Sequence, residues 1–432
     1  MLASCEDEGP KTIVITPEEE QPTYTIMYYA CGGATLDYAI DRTLDGIARS
    51  GAHDNVKFTC SVKWTKGYTS LRSDGEGGVY RTMLDSEDGY MEYELIGDNS
   101  YPLYEPENIA DFIRWSKEVA PSDYYVLILA GHGNGWHPAT DSDSTRGTIR
   151  DTDLDKYISL EELNEALELA DTHFRMIQMV SCLMNTMEYV TSLADNTDYI
   201  LGSSHVSLML CNEPTRMQLA LRSIKHDGDE AFEEAMEDLM NSIEVELKLL
   251  SDPEIVIDYS ITDTSKVTAL NEAVREFTDQ IVALYNEEAE IGAETMRAKY
   301  GASITDIEAE LSKAYSYVAS HLSPEEFAET EYVRQSFTYD IVDIAKHAAS
   351  AIDLATLSGA ATQLEQRAAE ARIINCTLGV TGVRETYYGV SFTNGENWVE
   401  RDYEGGGYLT TEFDLATGWS RLLRINNTEL IY

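Results

Sequence analysis

The sequence predicts an α/β fold, in which helices cover both faces of a mostly parallel sheet. Short runs rich in β-branched and aromatic residues alternate with amphipathic stretches of helical periodicity, and the segments that connect them are short. The run Tyr124–Ala130 (YYVLILA) is apolar at every position, as expected for a strand buried on both faces. Alternation of this kind requires parallel strands joined by crossover helices.

The elements of the first half follow from hydrophobic periodicity and from signals at their ends. Ser159 and Glu162, for example, form a capping box that begins a helix. In chain order we predict a strand at Thr23–Ala30, a helix with Leu36, Ile40, Leu44 and Ile47 on one stripe, a strand at Asn55–Trp64, a hairpin or excursion at 66–104, a helix at Glu107–Val119, the strand at Tyr124–Ala130, a surface loop at 138–156, the helix from Ser159, a strand at Arg175–Val180, a helix at Met184–Leu193 and a strand at Asp198–Gly202.

From residue 264 the pattern becomes helical and then returns to β character. A stripe from Val267 to Leu284 predicts one helix, and further helices are expected at 293–320, 340–351 and 356–372, before β-strands at Ile373–Val380 and Tyr387–Phe392. We therefore divide the chain into a flexible acidic tether (1–22), an α/β core (23–262), a helical subdomain (263–372) and a C-terminal β segment packing on the core (373–432).

The composition and net charge argue against several classes of function. The 432 residues are 43% hydrophobic, which is enough for a sizeable core. The net charge of -46 argues against binding to nucleic acid or to anionic lipid, because both need clustered Lys and Arg. No apolar run is long enough to span a membrane, and six cysteines without a CxxC pair do not indicate a disulfide scaffold or a zinc site.

The N-terminus favours an exported protein. Leu2-Ala3-Ser4-Cys5 resembles a bacterial lipobox, whose cysteine is lipidated, and the acidic stretch that follows resembles the export tag of some surface lipoproteins. We expect a periplasmic or cell-surface lipoprotein of a bacterium, with Cys5 as the lipidation candidate and the hydrophobic part of the signal peptide missing. The alternative is a cytosolic tail in which Cys5 has no role.

Two strongly apolar strands end on reactive residues. Tyr124–Ala130 runs into Gly131-His132-Gly133, and Arg175–Val180 runs into Ser181-Cys182. One loop and one helix separate the two strands, so a right-handed crossover makes them parallel and brings His132 and Cys182 to the same carboxyl edge. Open α/β sheets bind their ligands at this edge.

These residue types suit nucleophilic catalysis. A thiolate is the nucleophile, and a neighbouring imidazole lowers the thiol pKa and later protonates the leaving amine. The backbone N–H groups of Gly133 and Cys182 are candidates for an oxyanion hole. Taken alone, Cys182 would be interpreted as a buried apolar thiol, and His132 as an ordinary loop histidine. Their matching positions at two strand ends favour the catalytic interpretation.

The sequence resembles the clostripain-like cysteine peptidases, relatives of caspases, legumain and gingipains. The resemblance rests on Tyr24–Ala30 followed by Leu36 and Asp37, on SDYYVLILAGHGNGW ending at Trp136, on Cys182-Leu183-Met184 with Glu188, on DYILGS beginning at Asp198, and on Tyr388–Phe392. It implies a caspase-like fold, hydrolysis of peptide bonds through a thioester, and a catalytic dyad of His132 and Cys182. It also implies a preference for cleavage after basic residues, maturation by self-cleavage and, in some members, dependence on calcium.

One position departs from the family. Its members usually have Asp two residues before the nucleophile, in the pocket for Arg or Lys, and this chain has Val180. The pocket is then either apolar or supplied with a carboxylate from elsewhere, for which Glu213 is the candidate. For self-cleavage we predict the bond after Arg146, with Arg150 as second choice, because both lie in the polar loop between the dyad residues.

The remaining candidates have simpler explanations. His137 could complete a zinc triad with His132 and Cys182, but its spacing favours an exposed loop histidine, so no metal ligand is assigned. The dyad requires no cofactor, although the acidic run Asp141, Asp143, Asp151, Asp153 and Asp155 leaves calcium possible. Cys31, Cys60, Cys211 and Cys376 could form disulfide bonds, and buried free thiols are the simpler alternative.

We expect a monomer acting on a protein or peptide. The competing functions are a non-catalytic surface lipoprotein that uses the fold as a binding module, and a metal hydrolase.

Overall fold

A computed structural model gives the fold of this protein. It describes residues 21–33, 36–84, 89–133, 135–136, 147–204, 207, 214–250, 257–310, 338–378, 391–393 and 407–422. The strands are β1 Tyr24–Cys31, β2 Val56–Trp64, β3 Gly78–Leu84, β4 Glu94–Gly97, β5 Tyr124–Ala130, β6 Thr148–Asp151, β7 Lys156–Ile158, β8 Phe174–Val180, β9 Thr197–Gly202, β10 Ile257–Asp263, β11 Thr338–Asp340, β12 Arg372–Leu378 and β13 Ser391–Thr393.

Within the described residues, nine of these strands form one sheet in the order β12-β10-β9-β8-β5-β1-β2-β3-β4. The five central strands, from β9 to β2, are parallel to one another. Antiparallel strands extend both edges, β10 and β12 beyond β9 and β3 and β4 beyond β2. The predicted mostly parallel sheet is confirmed.

Helices cover both faces of this sheet. They are α1 Leu36–Ser50, α2 Pro106–Val119, α3 Leu160–Ala170, α4 Met187–Leu193, α5 Pro214–Ser223, α6 Asp229–Leu250, α7 Val267–Ile291, α8 Ala293–Tyr300, α9 Ile341–Ala351, α10 Ala355–Ala371 and α11 Glu412–Thr417. Apolar residues of α1, α5 and α6 join the cluster on one face, and those of α2, α3, α7, α9, α10 and α11 join the cluster on the other. No helix among the described residues is long and apolar enough to cross a bilayer.

Side chains of β5 show why the apolar run forms a central strand. Val126, Ile128 and Ala130 belong to one cluster, and Leu127 and Leu129 belong to the other. All five are completely buried, so an all-apolar sequence is required on both faces. At the start of α3 the predicted capping box is present, with Ser159 Oγ accepting from the Glu162 backbone N–H.

Three predicted elements differ from the structure. The predicted loop 138–156 contains β6 and the first residue of β7, which pair antiparallel where residues 147–156 are described. The helix predicted over 293–320 is interrupted after Tyr300, because Gly301 adopts a left-handed φ of 79° at its C-cap. Residues 304–310 are helical again, and 311–320 lie outside the described residues. The helix predicted from Met184 begins at Met187. The elements α5, α6 and β10 were not predicted.

The boundary predicted at 262/263 falls at the end of β10, and the division into subdomains remains a prediction. Leu270 of α7 and Leu364 of α10 lie in the same buried cluster as Leu127 of β5 and Ile177 of β8. Apolar residues on the two sides of this boundary therefore share one cluster.

Candidate active site

The connections between strands run in opposite directions across the sheet on the two sides of β1. The chain passes from β1 through α1 to β2 on one side, and β5 pairs with β1 on the other side. Such a switch point opens a crevice at the carboxyl ends of the two strands, where α/β proteins bind ligands. Gly32 and Gly33 follow β1 at this edge, His132 follows β5, and Cys182 follows β8.

The ends of β5 and β8 bring the predicted dyad residues to neighbouring positions. Ala130 pairs with Val180, and the N–H of Gly131 donates to the Val180 carbonyl at 3.3 Å. Gly133 then lies directly against the nucleophile segment, since a Cβ at this position would be 2.5 Å from the Cys182 carbonyl oxygen. Only glycine allows this close approach without a shift of the backbone.

His132 is held through its main chain, because its carbonyl accepts from the Arg150 N–H at 3.1 Å. Burial lowers the pKa of His132 below its usual value, the nearby backbone of Gly33 opposes this change, and the positive charge of Arg150 adds to it. The imidazole is therefore neutral at pH 7, as a general base must be.

Cys182 is partly buried beside Ser207. The Ser207 N–H donates to Cys182 Sγ at 3.4 Å, and Sγ lies 3.9 Å from the Ser207 carbonyl oxygen. Burial raises the pKa of the Cys182 thiol, and the Ser207 N–H lowers it by a smaller amount. The resting state of Cys182 at neutral pH is therefore the thiol.

The hairpin β6–β7 lies beside His132 and contains three aspartates of the acidic run. Asp151 forms a fully buried ion pair with Lys63 at 2.6 Å, and Asp155 pairs with Arg150 at 2.6 Å. Asp153 accepts the Lys66 N–H at 3.3 Å.

Two of these three aspartates, Asp151 and Asp155, are paired with protein cations. Among the described residues no group of three or more His, Cys, Asp or Glu side chains could hold a metal ion. His137, Asp141 and Asp143 lie outside the described residues. Calcium dependence stays a prediction.

The other predicted site residues are placed as follows. The Val180 side chain is 2% exposed and belongs to the apolar cluster that contains Ala130 and Met176. Cys31 and Cys60 are buried free thiols, so the pairing alternative is not adopted at these two positions. Cys5, Arg146, Cys211, Glu213 and the side chain of Cys376 lie outside the described residues.

Sequence reasoning missed the residues beside His132. Arg150 donates to the His132 carbonyl and Gly33 lies near the ring with its backbone, and main-chain contacts leave no side-chain signature in a sequence. The signal that was available is the pair Gly32-Gly33 directly after β1, where Gly33 has a φ of 139° that favours glycine.

A known protein family matches about two thirds of this chain. The profile of the clostripain family matches residues 85–373. Comparison with curated proteins gives no match.

Solved structures are similar over nearly the whole chain. A secreted C11 cysteine protease from Bacteroides thetaiotaomicron in complex with an irreversible peptide inhibitor is 16% identical, with a TM-score of 0.58 over 92% of this chain and 99% of that one. A second structure of a secreted C11 protease from this organism, named iotapain, is 14% identical, with a TM-score of 0.59 over 92% and 99%. An inactive zymogen C11 protease from Parabacteroides distasonis is 15% identical, with a TM-score of 0.56 over 92% and 98%. At these identities the likeness establishes the fold.

Proposed function

The chain belongs to the clostripain family of cysteine peptidases, and on that premise we propose that it is an endopeptidase in which Cys182 is the nucleophile and His132 the general acid and base. The observation that carries the proposal is the register of β5 and β8, which ends both strands beside Gly133. A binding module without catalysis is not favoured, because the family assignment and the arrangement of the two strand ends both point to a peptidase.

The proposed reaction uses these residues in two stages. His132 takes the proton from Cys182 Sγ as the sulfur bonds to the substrate carbonyl carbon, and the N–H groups of Gly133 and Cys182 stabilise the oxyanion. The C–N bond then breaks, and His132 gives the proton to the leaving amine. Water attacks the resulting thioester while His132 accepts its proton, and the C–S bond breaks to release the acid and restore the thiol.

Substitution of either dyad residue tests the proposal. Cys182→Ala and His132→Ala should each reduce hydrolysis of a fluorogenic peptide to the background rate, while circular dichroism and thermal unfolding stay close to those of the wild type. Cys60→Ala is the matched control, since Cys60 is a buried free thiol away from this edge. Hydrolysis retained by Cys182→Ala, free of contaminating protease, would rule out the assignment.

The specificity proposal concerns the residue before the scissile bond. Val180 removes the carboxylate that family members usually offer to Arg or Lys, and a buried cation without a partner is costly. We propose that cleavage after Arg or Lys is retained only if Glu213 supplies the missing charge; otherwise the pocket is apolar.

A peptide library varied at that residue decides between these pockets. If the wild type prefers to cleave after Arg or Lys and Glu213→Gln loses this preference, Glu213 supplies the missing carboxylate. If Glu213→Gln keeps the preference, that role of Glu213 is excluded. If the wild type prefers uncharged side chains, the pocket is apolar.

We also propose that the chain matures by cutting itself after Arg146. Arg150 is the less suitable site, because it pairs with Tyr157 across the hairpin β6–β7 and its N–H donates to His132. Cleavage after Arg150 would have to break both contacts. N-terminal sequencing of aged protein should find a new terminus at Gly147 in the wild type and not in Cys182→Ala. A cut that persists in Cys182→Ala would indicate an external protease.

We propose that the protein is exported, because its N-terminus carries the lipobox-like motif and because a C11 protease of similar fold is secreted. Cell fractionation, with metabolic labelling by a fatty-acid analogue, should find the precursor in the envelope and lipidated at Cys5. Unlabelled protein in the cytosol would contradict this.

A further inference from the structure

Tyr408 contacts the chain that continues from both dyad candidates. Its hydroxyl donates to Glu188 Oε1 at 2.9 Å, and its ring packs edge-on against Trp136, with 5.1 Å between the ring centroids and 88° between the ring planes. Trp136 follows His132 by four residues, and Glu188 follows Cys182 by six. One side chain therefore touches a residue shortly after each of the two candidates.

Both contacts of Tyr408 lie in the protein interior. Tyr408 and Glu188 are completely buried, and Trp136 is 1% exposed. A hydrogen bond is electrostatically stronger in such surroundings than in water, and an edge-to-face pair is a preferred arrangement of two aromatic rings. Because water cannot replace either contact, each one fixes the position of its partner.

The two contacts lie at the far ends of the segments that carry the dyad candidates. The histidine segment (131–133 and 135–136) follows β5 and ends at Trp136. The cysteine segment (181–188) follows β8 and runs into the first turn of α4, which contains Glu188. The sheet thus fixes the start of each segment, and Tyr408 fixes its end. A segment fixed at both ends has fewer conformations to explore.

Tyr408 can hold other residues because its own backbone is anchored. Its carbonyl accepts from the N–H of Thr411 at 3.1 Å and from the hydroxyl of Thr411 at 2.8 Å. Thr411 is also the N-cap residue of α11. Beyond α11, the ring of Trp419 is completely buried and packs against Phe277 of α7, with 6.5 Å between the ring centroids. The segment 407–422 is therefore fixed to the helices that cover the sheet.

A buried tyrosine between a glutamate and a tryptophan would alone indicate only packing. The position of its two partners distinguishes Tyr408, because the relative placement of the histidine and cysteine segments sets the distance between His132 and Cys182. We propose that Tyr408 is a positioning residue for catalysis, which holds these two segments in place from the segment 407–422. The inference deepens the proposed function and rests on it for the roles of His132 and Cys182.

Two substitutions separate the two contacts of Tyr408. Tyr408→Phe removes the hydroxyl that donates to Glu188 and keeps the ring against Trp136, whereas Tyr408→Leu removes both contacts. Amide hydrogen exchange, followed by mass spectrometry of peptic peptides, reports how firmly each segment is held. We expect faster exchange in the cysteine segment alone for Tyr408→Phe, and in both segments for Tyr408→Leu.

Catalysis should decline in the same order. Misplacement of reacting groups lowers the rate of the chemical step, so kcat for a fluorogenic peptide should fall by about tenfold in Tyr408→Phe and by more in Tyr408→Leu. KM should stay close to that of the wild type, because the proposed role of Tyr408 lies in the chemical step and not in substrate binding. Tyr408→Phe is the conservative change and serves alone if Tyr408→Leu does not fold.

Tyr199→Phe is the matched control. Tyr199 is buried in the first half of β9, away from the carboxyl edge, and its hydroxyl donates to Glu233 Oε1 at 3.0 Å. This variant also loses a hydrogen bond from a phenol to a glutamate, so it should lose stability and leave kcat and the exchange of both segments unchanged.

Unchanged exchange of the cysteine segment in Tyr408→Phe, an unchanged kcat in that variant, or equal effects in Tyr199→Phe would overturn the inference. Hydrogen exchange is measured without peptidase activity. Failure of the proposed function would therefore be seen separately, as hydrolysis retained by Cys182→Ala.

Discussion

At the scale of single residues, His132 and Cys182 rest in uncharged forms. Burial lowers the pKa of the imidazole and raises that of the thiol, so each group is driven away from its charged state. If the two residues act as the proposed dyad, we expect a thiolate–imidazolium pair to form only during attack, when the substrate is bound. This distinguishes the site from one that stores a thiolate in the free enzyme.

This resting state predicts how alkylation depends on pH. Because the pKa of Cys182 is raised, the thiolate fraction is small at pH 7 and increases with each unit up to that pKa. The rate at which iodoacetamide modifies Cys182, followed by mass spectrometry, should therefore rise continuously from pH 6 to pH 9. A rate that is already constant from pH 6 upward would show a preformed ion pair.

Gly133→Ala should damage the site without unfolding the protein. The new Cβ would meet the Cys182 carbonyl oxygen at 2.5 Å, so the backbone of one catalytic segment must move. We expect kcat/KM to fall by about tenfold or more. Gly359→Ala is the control, because Gly359 lies within α10 and no other element comes within 4 Å of the added methyl group. This substitution should stabilise the helix by about 0.5–1 kcal/mol. Equal activity of both variants would contradict the predicted close approach.

The dyad candidates could be predicted from sequence, whereas the residues that position them could not. His132 and Cys182 follow apolar runs that are unmistakable strands, and parallel topology then brings their ends together. Arg150 holds the His132 carbonyl from the hairpin β6–β7, which a sequence pattern does not reveal because the contact is made by the main chain. The glycines after β1 are visible in the sequence, but nothing in it indicates that Gly33 lies near His132.

At the scale of elements, the hairpin β6–β7 is anchored to the sheet by one buried ion pair. Lys63 donates to Asp151 at 2.6 Å and to the Tyr101 carbonyl at 3.0 Å, with its side chain completely buried. Burial raises the pKa of Asp151, and Lys63 opposes that rise. Since Arg150 in the same strand donates to the His132 carbonyl, the pair also secures the backbone of His132.

Breaking this pair should be far more costly than breaking one on the surface. Lys63→Met leaves the Asp151 carboxylate buried without its cation, and we expect a loss of about 3–5 kcal/mol in the free energy of unfolding in urea. Arg367→Gln removes the exposed pair with Glu370 and should cost less than about 1 kcal/mol. Similar losses in both variants would show that the hairpin is not held by the buried pair.

Hydrophobic periodicity predicted the elements that are apolar and missed those that are not. The central strands and α3 lie close to their predicted bounds, because their patterns are strong and local. The strands of β6–β7 are short and polar, and their pairing depends on contacts with Lys63 and His132 that are distant in sequence. At Gly301 the helix is interrupted because of backbone conformation, which outweighed the helical periodicity predicted across 293–320.

At the scale of the whole molecule, one apolar cluster includes residues on both sides of the predicted boundary at 262/263. Leu127 in β5 and Leu364 in α10 are both completely buried in it. Leu127→Ala and Leu364→Ala should each destabilise a single cooperative transition by about 2–5 kcal/mol. Calorimetry that shows a separate early transition in Leu364→Ala would mean that the helical region unfolds independently.

The central claim is that Cys182, activated by His132, attacks the peptide carbonyl. Its most direct test is brief labelling with peptidyl acyloxymethyl ketones ending in Arg or in Leu, followed by mass-spectrometric mapping of all six cysteines. We predict an adduct on Cys182 alone in the wild type, and none at that residue in His132→Ala under the same conditions. An adduct on another cysteine, or equal labelling of Cys182 in His132→Ala, would contradict the account.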